Sequence, residues 1–177
     1  MEEIMGLPVE SIEIELRDEG LGYGLPMCFI ELGYTDEKME VEEVLREVLE
    51  KTGKKGWVCI RGRPDPLACG VGTLVRGLSQ LQRYIEVETD GLRRDPSWSR
   101  SVDRWVVSFQ SGSSFNYGSL RASDSIKILV DTLTTSEISK LLEASSKINC
   151  VKYLKVPTGT REDWMDLATQ FERVRVC

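Results

Sequence analysis

Histidine is absent from this sequence. That excludes Ser-His-Asp and Cys-His nucleophile systems and every metal site built on imidazole, unless another molecule supplies the group. The five cysteines include no Cys-x-x-Cys pair. Cys28 and Cys59 fall within apolar, strand-like runs, so the thiols read as small buried hydrophobes in a reducing compartment, and no metal site is expected. No apolar run approaches membrane-spanning length. No long basic run occurs either, and the net charge is −6, which argues against binding nucleic acid through its phosphates. Met1–Pro8 lacks a basic region followed by an apolar stretch, so the expectation is a cytoplasmic protein without a secretory signal.

What is present is ordinary for a globular chain. The 177 residues are 41% hydrophobic and 29% charged, enough for a real core, and a single domain over 1–177 is expected. Ser11–Leu16 alternates polar and apolar as a half-exposed strand, and Met27–Leu32 reads as a more buried one. Between them, Gly20, Gly22, Gly24 and Pro26 mark a loop. Thr35 is positioned to cap a helix whose first turn holds Asp36 and Glu37, with Val41, Val44, Leu45, Val48 and Leu49 as its buried stripe and Gly53 at its end.

The stretch from Trp57 to Gly91 organises the rest. It reads as strand (57–61), Gly/Pro loop (62–70), helix (71–82), strand (84–88) and the turn Thr89-Asp90-Gly91. Val71, Leu74, Val75 and Leu78 recur at helical spacing. Strand, helix, strand implies a parallel βαβ unit, with Arg61–Asp65 and Glu88–Gly91 side by side at the carboxyl-end rim where such sheets carry their sites. Gly70-x-Gly72 faintly resembles a dinucleotide fingerprint, but Gly77 is off register and a long loop precedes the helix.

Beyond Gly91, residues 92–101 form a polar loop with a short helical turn, 104–110 a strand, and 111–123 a second loop. Residues 126–130 are a strand, and Thr134 with Glu137 forms a capping box for a helix at 136–146. Val151–Val156 is expected to be the last strand. Thr160 caps the final helix, where Trp164, Leu167, Ala168 and Phe171 share one face. Alternating strands and helices from Met27 onward give an α/β fold with a largely parallel sheet.

Several segments, in order, resemble the 7-carboxy-7-deazaguanine synthases, radical S-adenosylmethionine (SAM) enzymes of the queuosine and archaeosine pathways. Residues 16–33 are similar to the family's opening strand, Gln-Gly-Glu-Gly turn and Phe-Ile-Arg-Leu strand. Arg61-Gly62-Arg63-Pro64 occupies the place of Gly-Gly-Glu-Pro, and Glu88-Thr89-Asp90-Gly91 that of Glu-Thr-Asn-Gly. Val107-Ser108-Phe109-Gln110 stands where a Ser-Pro-Lys strand end is found, and Asp124 to Lys127 resembles Asp-Glu-Leu-Lys. The resemblance covers residues 10–160 and implies a radical-SAM-like partial (βα) barrel. It carries over Glu19, Gly20, Gly62, Arg63, Glu88, Thr89, Asp90, Ser108 and Lys127 as ligand-binding candidates.

The departures bear on function. The family holds a four-iron, four-sulfur cluster on three cysteines just after its Phe-Ile-Arg-Leu strand. Here Gly33 and Tyr34 run straight to Thr35, and no cysteine lies between Cys28 and Cys59. Arg63 replaces a glutamate that accepts from the SAM ammonium, and Glu31 replaces an arginine expected to meet the substrate carboxylate. The expectation is a cluster-free relative without radical SAM chemistry, acting as a binding or interaction module and needing neither cluster nor SAM. Arg17, Arg61, Arg63, Arg93 and Arg94 near one rim would suit a phosphate or carboxylate ligand, and the expected partner is a small-molecule anion or a purine. Two alternatives stand beside it. One is an enzyme of deazapurine or nucleotide metabolism using Asp65, Glu88, Asp90 and Lys127 as acid–base groups. The other is a homodimer or accessory subunit anchored by Trp98, Trp105, Phe115 and Tyr117.

Overall fold

The computed structural model describes residues 13–17, 27–33, 40–52, 56–63, 65–68, 70–91, 97–109 and 120–177. The chain is an α/β protein with a largely parallel sheet, consistent with a partial (βα) barrel. It packs as two compact units, Met1–Thr89 with Arg93–Arg104, and Asp90–Leu92 with Trp105–Cys177.

In the first unit the strands are β1 (Glu13–Arg17), β2 (Met27–Leu32), β3 (Trp57–Gly62) and β4 (Tyr84–Thr89). β1 is antiparallel to β2, while β2, β3 and β4 are parallel neighbours. Helix α1 (Val41–Thr52) precedes β3, and α2 (Gly72–Gln80) links β3 to β4. Cys28, Ile30, Val58, Ile60, Ile85 and Val87 are all fully buried, and Cys28 lies within the field of Lys51 and Glu47 of α1. The alternate residues face the other way, where Met27, Phe29 and Cys59 pack with Trp57. Period-2 alternation thus separates a face covered by α1 and α2 from the opposite face, helix-free among the described residues of this unit.

The second unit contains β5 (Arg104–Phe109, whose first residue packs with the first unit), β6 (Ser125–Leu129), β7 (Val151–Lys155) and β8 (Val174–Val176), each parallel to the next. Helices α3 (Thr135–Ser145) and α4 (Arg161–Thr169) follow β6 and β7. Val107, Phe109, Ile126, Ile128, Leu154 and Val176 form one core with Ile138, Leu142 and Ala168. The capping box at α3 is complete, because Thr134 Oγ1 accepts from Glu137 N–H while the Glu137 carboxylate accepts from Thr134 N–H.

Four expectations need correction. Val151–Val156 is not the last strand: β8 follows α4, entered through Arg173 in a left-handed conformation (φ 59°). Thr160 does not cap α4, since its hydroxyl donates to Pro157 O instead. Phe171 lies beyond the end of α4 and only half-buries against the core. Leu49 of the α1 stripe is 39% exposed. The expected start of α1 (Thr35, Asp36, Glu37), its stop at Gly53, and Gln110 lie outside the described residues.

Glycine at 62 is a geometric requirement. Its φ is +135°, and a Cβ there would penetrate the Leu32 backbone carbonyl on the neighbouring strand. Arg63 N–H then donates to that same carbonyl at 2.9 Å. Gly62→Ala therefore forces strain and a main-chain clash together, and urea denaturation is expected to show a loss of about 3 kcal/mol or more. An unchanged midpoint would contradict this geometry.

Candidate functional site

On the helix-free face of the first unit, the register places Met27 beside Trp57 and Tyr84, Phe29 beside Cys59 and Glu86, and Glu31 beside Arg61. Glu88 continues the same face of β4. Apolar groups occupy one end of this face and charged groups the carboxyl end.

The deepest polar contact is the ion pair between Glu86 and Arg104, with Nε to Oε2 at 2.5 Å and both side chains buried. The Arg104 guanidinium also lies over the Trp57 ring at 4.3 Å, and Trp57 stacks on Tyr84. Asp103, one residue earlier, exchanges hydrogen bonds with the Ile85 backbone, accepting from its N–H and donating to its carbonyl. Burial pushes the Glu86 carboxyl above its ordinary range, against the opposing pull of Arg104. Burial, and then the Glu86 and Glu88 carboxylates, push the Cys59 thiol well above its usual value. At neutral pH it is a protonated donor, neither a nucleophile nor a ligand.

Above this pair, at the rim, Arg61 Nε donates to Glu31 Oε2 at 2.6 Å and its guanidinium lies 4.4 Å above the Phe29 ring. Glu88 acts on Arg61 electrostatically as well. Asp65 Oδ1 accepts from the Thr89 hydroxyl at 2.9 Å and from Leu67 N–H at 2.8 Å. The expected meeting of the two loops at one rim is therefore present. It also gives Asp65 a structural task in holding the turn. Arg63 is exposed beside Gly62, and Asp90 is half-buried just past β4.

Ser108 and Lys127 are cross-strand neighbours on β5 and β6, both half-buried, in the second unit. Tyr153 of β7 continues that row. Glu19 and Gly20 lie outside the described residues, as do Pro64, Arg93, Arg94, Cys69, Phe115 and Tyr117.

Arg17 cannot join the rim: β1 runs antiparallel, so Arg17 pairs with Met27 at the opposite end of the parallel strands. Nor is Trp98 an exposed anchor. It is 9% exposed, and its ring sits so close to Gly72 that a Cβ there would strike it at 2.6 Å. Gly72, the first residue of α2, is thus needed for packing against the indole. Glu86 and Arg104 were missed by sequence reasoning. The available signal was an acid between Ile85 and Val87 in an otherwise apolar strand.

Among the described residues no group of three or more His, Cys, Asp or Glu is placed to hold a metal ion, and no helix is long and apolar enough to cross a membrane. Cys28, Cys59, Cys150 and Cys177 are free thiols on separate strands or strand ends. Burial raises all four, Cys28 to about 11. These four thiols do not converge on one loop as the ligands of an iron–sulfur cluster do. The chain matches no known protein family, and no curated protein is similar to it.

The buried pair makes a stability prediction. Removing Arg104 leaves Glu86 desolvated and unpaired, so Arg104→Met is expected to cost about 3–5 kcal/mol, with Glu86→Gln added to it restoring much of the loss. The pH dependence has a definite sign. The folded state holds the Glu86 proton more tightly than the unfolded chain, whose value is about 4.5. This contribution is therefore greatest below that value and falls as pH rises through the folded one. Denaturation of Glu86→Gln should lack that slope; an identical pH profile would contradict the assignment.

Proposed function

We propose that this chain is a small-molecule-binding module, a cluster-free relative of the 7-carboxy-7-deazaguanine synthases that performs no radical SAM chemistry. The ligand is a purine-like base, taken at the carboxyl-end rim of β2, β3 and β4. One observation carries the reading: carboxylate, guanidinium and carboxylate alternate across one row, Glu31, Arg61 and Glu88, with the guanidinium plane over Phe29.

The signs decide between ligand classes. Arg61 is already neutralised by Glu31, and Glu88 adds a negative charge beside it. A simple anion would gain little from Arg61 and would be repelled by two acids. A purine edge with adjacent N–H donors instead finds carboxylate oxygens that each have more than one acceptor position. The flat base finds a planar guanidinium that stacks well. The buried Glu86–Arg104 pair beneath holds the strand that presents Glu88. Of the arginines expected at the rim, Arg61 and Arg63 stand there, Arg17 pairs at the opposite end of the strands, and Arg93 and Arg94 lie outside the described residues.

Calorimetry on the purified protein checks the reading, with guanine-type and 7-deazaguanine-type compounds, GTP and SAM as probes. Compounds with the guanine donor edge should bind, and Glu88→Gln should weaken them about tenfold or more, as expected for a hydrogen bond to a charged group. After anaerobic iron and sulfide treatment the protein should carry no cluster. Failure of every purine compound to bind, binding that ignores Glu88→Gln, or a reconstituted cluster with SAM cleavage would overturn it.

A further inference from the structure

The second unit carries a separate cavity of about 420 Å³ at the carboxyl ends of β6 and β7, where α3 and α4 begin. Its volume is within the range of small-molecule sites. Val130, Trp164 and Leu167 supply apolar wall, while Asp131 and Asp163 are the charged groups that line it. Both carboxylates are exposed, and neither forms a salt bridge with a described residue. The Thr160 hydroxyl also lines it and spends its proton on Pro157 O, so toward a ligand it acts as an acceptor.

The neighbouring helix N-termini would ordinarily favour an anion. Here that preference is already met from within the chain. Glu137 closes the capping box of α3, and Glu162 and Asp163 stand in the first turn of α4. The nearby cations Lys155 and Arg161 act on the Cys177 thiol, and neither lines the cavity. An incoming anion would meet two carboxylates and no cation on the lining; an incoming cation would meet two carboxylates, a hydroxyl acceptor and an indole.

We propose that this cavity binds a small organic ammonium ion, its apolar body against Trp164, Leu167 and Val130 and its charged head between Asp131 and Asp163. At the rim of the first unit the two carboxylates flank Arg61, whereas the lining of this cavity includes no cation, so the two sites are proposed for different ligand classes.

The test uses the full chain and two probes of one shape and opposite charge, tryptamine and indole-3-propionate, followed by calorimetry. Tryptamine should bind with a Kd below about 1 mM, with indole-3-propionate at least tenfold weaker. Asp163→Asn, at an exposed position that leaves folding intact, should weaken tryptamine about threefold to fivefold, and the Asp131→Asn/Asp163→Asn protein about tenfold. Equal affinity for both probes, no measurable tryptamine binding, or binding unchanged in the double variant would overturn the proposal.

Discussion

A carboxylate held out of water must be answered, and Arg104 answers Glu86. The pair lies on the helix-free face of β4, with the guanidinium over Trp57 and the Cys59 thiol beside the carboxylate. Desolvating two ions costs several kcal/mol each, and their attraction recovers that only with good geometry and satisfied hydrogen bonds. Here the geometry is supplied twice over, since Asp103 ties the chain next to Arg104 to the backbone of Ile85. Trp57, stacked on Tyr84 at the apolar end, lies against the guanidinium. Strand β4 is thereby held by polar contacts on one face and by Ile85 and Val87 in the core on the other.

That anchoring determines what the rim can do. Glu88 stands two residues beyond Glu86 on the same face, so its position follows from the buried pair. Arg61 is set by Glu31 and by Phe29. Below the loops, Gly62 lets β3 end against the Leu32 carbonyl, and Asp65 gathers Thr89 and Leu67. Glu31, Arg61 and Asp65 are thus held by contacts within the chain, which would lower the ordering cost for a ligand of the proposed kind. The cavity of the second unit follows the other common design, an apolar wall with charges at its mouth.

Much of the fold was legible because alternation and helical spacing are local signals. Met27–Leu32 was read with its observed bounds, the two strands around α2 within one residue, and the Thr134–Glu137 capping box in full. The ordered resemblance to the deazaguanine synthases pointed to a partial α/β barrel with parallel strands. What failed depended on tertiary context. Three residues are too few for β8 to show a period. Thr160 could bond either to the helix or to the preceding turn, and it took the turn. Arg17 was assigned to the rim because a strand's pattern does not reveal its direction, and an antiparallel strand reverses which end a residue occupies. Partnership across eighteen residues, Glu86 with Arg104, is equally invisible to spacing, although an acid flanked by Ile85 and Val87 marked the place.

The central claim is that the carboxyl-end rim of β2, β3 and β4 is a pre-arranged site for a purine-like base. Its most direct measurement is amide chemical-shift mapping on isotope-labelled protein titrated with a 7-deazaguanine-type compound. The predicted result is saturable shifts at Glu31, Arg61, Gly62, Arg63, Glu88 and Thr89, with the α3 and α4 amides unmoved. Shifts confined to the second unit, or none at any ligand concentration, would contradict the account.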